Sequence, residues 1–428
     1  MSAKVVEKKY LLPFILITSL FALWGFANDI TNPMVAAFQT VMEITTSKAS
    51  MVQFAFYGGY ATMAIPAALF VQKYSYKKGI LLGLALYAIG ALLFIPAAQF
   101  EVFGFFLVSL YILTFGLAFL ETTSNPFILS MGDPETSTRR LNLAQAFNPM
   151  GSLLGMFVAS KVVLASLDSD IRDAAGELTF PTLDEAAKAV IRTHDLGVIR
   201  NPYAILGVIV IAMFIVIAIV KMPDTGHNSN IHPMKSLRTL WGNVVFREGV
   251  LAQIFYVAAQ IMCWTFIIQY ADRLGIDKAT AQMYNILAMG IFLGSRFIAT
   301  ALMKYVNSRK LLMIFALSAI VTMSGVILID GMMGLYCLIA TSAFMSLMFP
   351  TIYGIALENV EQKDATLGAA FLVMAIVGGA IMPKIQAIII DLGTVGSMPA
   401  VNVSFILPLI CFLVIAIFGY RSYKNVKG

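Results

Sequence analysis

The chain has 428 residues, of which 59% are hydrophobic and only 12% charged, and its mean hydropathy is +0.84. Soluble domains carry about 25% charged residues, so a water-soluble core of this size has no room for that much apolar surface; lipid is the expected solvent for most of the chain. The net charge of +6 comes from basic residues scattered through short loops, not gathered on one face, which argues against a nucleic-acid-binding surface.

In chain order, a basic stretch with Lys4, Lys8 and Lys9 runs straight into the first apolar run. That run carries proline, Asn28 and Asp29, so it is expected to stay in the protein and not to be removed as a signal peptide. Runs long enough to cross a bilayer, about 20 residues each, fall at about 11–40, 49–72, 79–99, 103–130, 142–166, 200–221, 248–271, 279–303, 309–330, 333–357, 366–391 and 400–420. Twelve spans put both termini on one side. Most Lys and Arg residues fall on that side, among them Lys73, Lys77, Lys78, Arg139, Arg140, Lys304, Arg309 and Lys310, so the termini are expected to be cytoplasmic in a bacterial inner membrane. Cys263, Cys337 and Cys411 all lie inside apolar runs and are expected only to pack.

Two connections are long. Residues 167–199 are acidic and helix-prone, with Asp168, Asp170, Asp173, Glu177, Asp184 and Glu185, and belong outside. Residues 222–247, with Pro223, His227, His232 and Pro233, read as a cytoplasmic linker between a six-helix bundle over 1–221 and another over 248–428. No Cys or carboxylate cluster accompanies the two histidines, so they are expected to be solvated and no metal site is expected. The halves repeat weakly. Gln72–Lys78 and Lys304–Lys310 are both short basic turns between consecutive spans, and Asn125-Pro126 in the fourth span echoes Phe349-Pro350 in the tenth. Two six-span halves in parallel repeat predict an all-α membrane protein with the major facilitator fold.

Ionisable groups at membrane depth cost about 2.5–3.5 kcal/mol on insertion scales, so they are rare unless they face a cavity or a partner. Glu121 is the only charge in its run, and Asn125 follows it by one turn on the same face. Pro126 frees a carbonyl one turn earlier and allows local unwinding. Asp29, Asn28 and Asn32 share a polar face in the outer half of the first span. The fifth span presents Asn142, Gln145 and Asn148 at spacings of three; the seventh presents Gln253, Tyr256, Gln260 and Trp264 on one face. Such a set suits a sugar-sized ligand with many hydroxyls, with amides to bond it and Trp264 to stack on a pyranose ring. The competing reading is that the amides glue helices together, at about 1 kcal/mol or less each, and that Trp264 packs. Tyr284 and Asn285 in the eighth span are further candidates, whereas Arg296 reads as a structural pair or a snorkelling side chain.

Several stretches resemble one family closely: Phe21-Ala22-Leu23-Trp24, Ala55–Tyr60, Leu120-Glu121-Thr122 with Asn125-Pro126-Phe127, Leu141–Gln145, Tyr256-Val257 with Ala259-Gln260 and Cys263-Trp264, and Ser342–Ser346 with Pro350-Thr351-Ile352. On these the chain is similar, almost from end to end, to the fucose–galactose–glucose:proton symporter family of the major facilitator superfamily. The resemblance implies two six-helix bundles, a central cavity, and import of a sugar, L-fucose or a related hexose, with protons by alternating access. It implies that Glu121 recognises the sugar and that Gln145 and Asn148 line the cavity. Asp29 and Glu121 are the expected proton-coupling residues; Asn28, Asn32, Glu121, Asn125, Gln145, Asn148, Gln260, Trp264 and Asn285 are the expected sugar ligands. One departure stands out. Fucose carriers of the family place an Asn first and a proton-linked Asp three residues on; here Asp29 comes first and Asn32 takes the Asp position, which moves the carboxylate by ~4–5 Å along the helix at ~1.5 Å per residue. A sodium-coupled or exchange-type carrier with the same fold remains open. A membrane-embedded enzyme is remote, because no nucleophile–base set or metal-ligand set lies at membrane depth. A monomer in lipid, with no cofactor, is expected.

Overall fold

The computed structural model describes residues 5–44, 48, 51–171, 173, 179–223, 233–276, 278–390 and 392–427, with some side chains inside these ranges left out, Asn32 among them. Among the described residues, 12 helices are long and apolar enough to cross a membrane: Lys8–Thr31, Phe54–Lys73, Tyr76–Phe100, Phe103–Leu129, Pro134–Ser166, Glu185–Ile219, Val244–Ile267, Met283–Leu302, Ser308–Leu328, Met332–Leu357, Asp364–Ile390 and Ala400–Lys424. Helices are the expected form, because backbone polar groups in lipid must be satisfied within the segment. The two basic turns that suggested the repeat start their following helices alike: Ser75 Oγ accepts from the Lys78 N–H (3.2 Å) and Asn307 Oδ1 from the Arg309 N–H (2.9 Å).

Three elements begin or extend beyond the bounds read from the sequence. The fifth span begins at the terminal side well before 142, with a helix over Ser137–Gln145. Its Arg140, which reads as a loop charge, is fully buried and donates to the carbonyls of Ile128 (2.8 Å), Leu129 (2.6 Å) and Val5 (3.1 Å). The sixth helix starts at Glu185, not near 200, because Asp184 caps it through the Ala187 N–H at 2.8 Å. The acidic stretch is therefore partly an outward extension of that helix, tied down where Asp195 accepts from the N–H groups of Asp168 (3.0 Å) and Ser169 (2.9 Å). The connection over 222–247 also carries a helix, Pro233–Gly242, which lies against the second half through buried Leu240 and through Trp241, edge-on to Phe371 at 5.7 Å. His227 and His232 lie outside the described residues.

Spans one and five pack backbone to backbone. A Cβ on Gly151 would fall 1.8 Å from the Ala22 carbonyl oxygen, and one on Gly25 would fall 2.1 Å from the Asn148 carbonyl oxygen, so only glycine fits at either place. Small residues let membrane helices approach this closely. Here the approach sets Asp29 beside Ser152.

The second half has its own core, built on Tyr256, Met262, Phe292, Leu312, Leu338 and Phe412. The core of the first half reaches across into the second at the end that carries the chain termini, taking in Tyr353, Ala356, Leu367, Ala370 and Val373. Hydrogen bonds join the halves at that same end, from Asn142 Nδ2 to Thr351 Oγ1 (3.2 Å) and from Thr366 Oγ1 to the Tyr76 hydroxyl (3.3 Å). Gly354 leaves just enough room for Thr138 there.

Candidate functional site

Glu121 lies where the halves meet. It is 8% exposed, and its Oε2 is buried with no hydrogen-bond partner. Tyr60 of the second span and Tyr353 of the tenth are both within electrostatic reach of it, so each half contributes a tyrosine near one carboxyl. One turn on, Asn125 Nδ2 donates to the Glu121 backbone carbonyl (3.0 Å), and Asn125 Oδ1 accepts from Gln145 Nε2 of the fifth span (2.9 Å). Asn125 is fully buried and spends one donor and one acceptor of its amide within the protein, so here it orients Gln145. The buried Tyr353 hydroxyl lies close by, beside the Asn125 side chain.

The other polar groups fall into two nearby sets. In the first half, half-buried Asp29 lies near Tyr57 and Ser152; its half-buried neighbour Asn28 has a buried Oδ1 with no partner. Asn148 donates to the Phe21 carbonyl at 3.2 Å, so its amide joins the fifth span to the first. The side chain of Asn32 lies outside the described residues. In the second half, Gln260 sits beside Tyr256, whose hydroxyl donates to the Met345 carbonyl at 3.2 Å. Trp264 is half-buried, donates from Nε1 to Ser342 Oγ (3.2 Å), and stands edge-to-face with Phe292 at 5.0 Å. Gln253, on the same helix face, is fully buried with neither end of its amide bonded. Tyr284 and Asn285 are half-buried.

Arg296 connects the sets. It does not snorkel: it is 3% exposed and donates to the Ser346 carbonyl in its own half and, at 2.9 Å, to the Gln145 carbonyl in the other. A chain of hydrogen bonds therefore runs from Arg296 to Gln145, Asn125 and the Glu121 turn, with Tyr256 within electrostatic reach of Arg296. The tyrosines around the carboxyls were not singled out from sequence. Tyr57 and Tyr60 share a face beside the Gly58-Gly59 pair, which was the available signal; Tyr353 reaches Glu121 only through the meeting of the halves.

This arrangement can bond several hydroxyls at once and hold or release a proton at a buried carboxyl, while the second half contributes an aromatic ring. Comparison with known proteins agrees with a carrier of this kind. The sequence model of the Major Facilitator Superfamily matches residues 15–383. The chain is 66% identical over 429 residues to an L-fucose-proton symporter of Haemophilus influenzae, with 100% of both chains covered. It is 30% identical over 422 residues to a glucose/galactose transporter of Brucella abortus, covering 98% of this chain and 96% of that one. A crystal structure of the transporter FucP in the outward conformation superposes with a TM-score of 0.88 at 32% identity, over 97% of this chain and 99% of that one.

Proposed function

The chain belongs to the Major Facilitator Superfamily, and on that premise we propose that it imports a sugar, L-fucose first and a related hexose second, together with protons by alternating access. The observation that carries this reading is the buried, unpartnered Oε2 of Glu121, with Tyr60 of one half and Tyr353 of the other in electrostatic reach. A carboxyl so placed has one oxygen to offer, and a proton and a sugar hydroxyl can compete for it. Gln145, held by Asn125, supplies a neighbouring amide; Gln260 and Trp264 supply the facing surface. The 66% identity to a symporter of L-fucose favours that sugar over the glucose and galactose of the more distant relative.

In this reading Asp29 shares the proton-coupling role, with Tyr57 and Ser152 beside it. Asn28, Asn32, Asn125, Asn148 and Asn285 are the further candidate sugar ligands. The units that rock against each other are residues 1–221 and 248–428, with 222–247 as the cytoplasmic connection, and the protein works as a monomer in the inner membrane with both termini in the cytoplasm. Both the sugar and the coupling ion are tested by uptake into proteoliposomes of labelled L-fucose, D-galactose and D-glucose under an imposed pH gradient, an imposed sodium gradient, or neither. Accumulation of L-fucose driven by the pH gradient alone is expected. Accumulation that needs sodium, or equal counterflow with no accumulation under either gradient, would replace the proton reading with the sodium or exchange reading.

A further inference from the structure

Prolines break two of the spans that meet at the terminal side. Pro149 has no N–H to give the carbonyl four residues earlier, which belongs to Gln145, and the helix over Ser137–Gln145 gives way there to another over Phe147–Val158. Pro350 likewise leaves the Ser346 carbonyl without its in-helix donor, and the tenth span divides into Met332–Met345 and Met348–Leu357. A carbonyl freed inside a membrane needs another donor. Both of these find the same one: Arg296 gives Nε–H to Ser346 and Nη1–H to Gln145, which lies 2.9 Å away.

We propose that Arg296 is the latch of the terminal-side gate, a positioning residue that holds the two proline-freed carbonyls together and must release Gln145 each time that side opens. Ser346 and Arg296 both belong to the second half, so their bond survives a rigid rocking of the halves. Gln145 belongs to the first half, so its bond does not. The Phe292 ring, 4.6 Å from the guanidinium carbon, holds the side chain on its own half when Gln145 leaves. Among the described residues no carboxylate is ion-paired with Arg296. The charge is thus satisfied by carbonyls and an aromatic face, contacts that water entering an opening gate can replace. The fork geometry matters, since two different nitrogens of a rigid group serve two separate acceptors.

Gln145 also links the latch to the sugar site. Its carbonyl is held by Arg296 and its side chain by Asn125. A change in either contact is felt at the other, and by linkage a sugar that engages the Gln145 amide must alter the latch as much as the latch alters sugar affinity. The proposal rests on alternating access but on neither the identity of the sugar nor that of the coupling ion.

The test measures which side is open with neither sugar nor gradient present. Spin labels at Lys73→Cys and Lys304→Cys, both exposed at the terminal end and one in each half, are placed in a full chain with Cys263, Cys337 and Cys411 replaced by Ala. The short distance is expected to dominate in the parent protein. Arg296→Ala is expected to raise the ratio of long to short distance about tenfold, the order expected for loss of one hydrogen bond to a charged group, and Arg296→Lys to raise it less. Pro149→Ala leaves the arginine in place but gives Gln145 an in-helix donor, so it is expected to shift the ratio the same way. If Arg296→Ala does not fold, Pro149→Ala decides alone. Distance distributions unchanged from the parent in the folded variants overturn the latch, whatever sugar the protein carries.

Discussion

The side-chain amide of Gln145 donates to Asn125 Oδ1 over 2.9 Å, so the fifth span is bonded to the fourth one turn from the Glu121 carboxyl. Asn125 spends one donor and one acceptor inside the protein, whereas the Gln145 side-chain oxygen is not consumed by that bond. The pair is therefore expected to act as a unit in sugar binding. Asn125→Ala and Gln145→Ala are each expected to weaken L-fucose binding by about tenfold, and the double variant by little more than either single one. Isothermal titration of the four proteins gives the cycle; fully additive losses would show that the bond does not orient Gln145 for the sugar.

Glu121→Gln keeps the shape and the hydrogen-bonding reach of the side chain but cannot release a proton. Uphill uptake under a pH gradient is expected to fall by at least about tenfold, while equilibrium binding of sugar changes less, because the amide still offers an oxygen to a hydroxyl. The measurement is accumulation against binding on the same preparation. Parallel loss of both would leave Glu121 as a binding residue only, and unaltered accumulation would remove it from the site.

Much of this was legible in the sequence for a simple reason: lipid penalises polarity. Uninterrupted apolar length gave the spans, and the cost of a charge or an amide at depth singled out Glu121, Asp29 and Gln145. The same criterion failed where polar residues enter helices and are buried by protein. Ser137-Thr138-Arg139-Arg140 looks like a loop, yet it starts the fifth span because backbone carbonyls surround Arg140. Arg296 was visible as a charge, and Pro149 and Pro350 as helix breakers, but nothing local says that one guanidinium meets both freed carbonyls. That is a fact about how the two halves dock. The place of Tyr353 beside Glu121 is of the same kind.

Trp264 separates stacking from packing. Its Nε1–H is engaged by Ser342 and its ring by the edge of Phe292, so the ring plane is fixed before any sugar arrives. Trp264→Phe keeps an aromatic face and is expected to cost less than about threefold in sugar affinity, whereas Trp264→Ala removes the face and is expected to cost roughly tenfold or more. Thermal unfolding of both variants without sugar provides the control. Lower melting temperatures with unchanged sugar affinity would make Trp264 a packing residue.

Asp29 is where the chain departs from the order of the fucose carriers it resembles. Its carboxylate stands beside Tyr57 and Ser152 at half-buried depth, reached because Gly25 and Gly151 let the first and fifth spans close up. If Asp29 carries the coupling proton, Asp29→Asn separates two activities. Exchange of sugar across a membrane with no gradient needs only that the loaded carrier reorient, and it is expected to persist within about threefold of the parent rate. Accumulation needs the proton to be taken up on one side and released on the other, and it is expected to be lost. The double change Asp29→Asn with Asn32→Asp moves the carboxylate about one turn along the same face and restores the order of the relatives, so it is expected to recover part of the accumulation. Counterflow and pH-driven uptake of labelled L-fucose, measured on the three proteins over a range of external pH, decide the matter. If Asp29→Asn accumulates sugar normally at every pH, Asp29 is an interfacial residue and coupling rests with Glu121 alone.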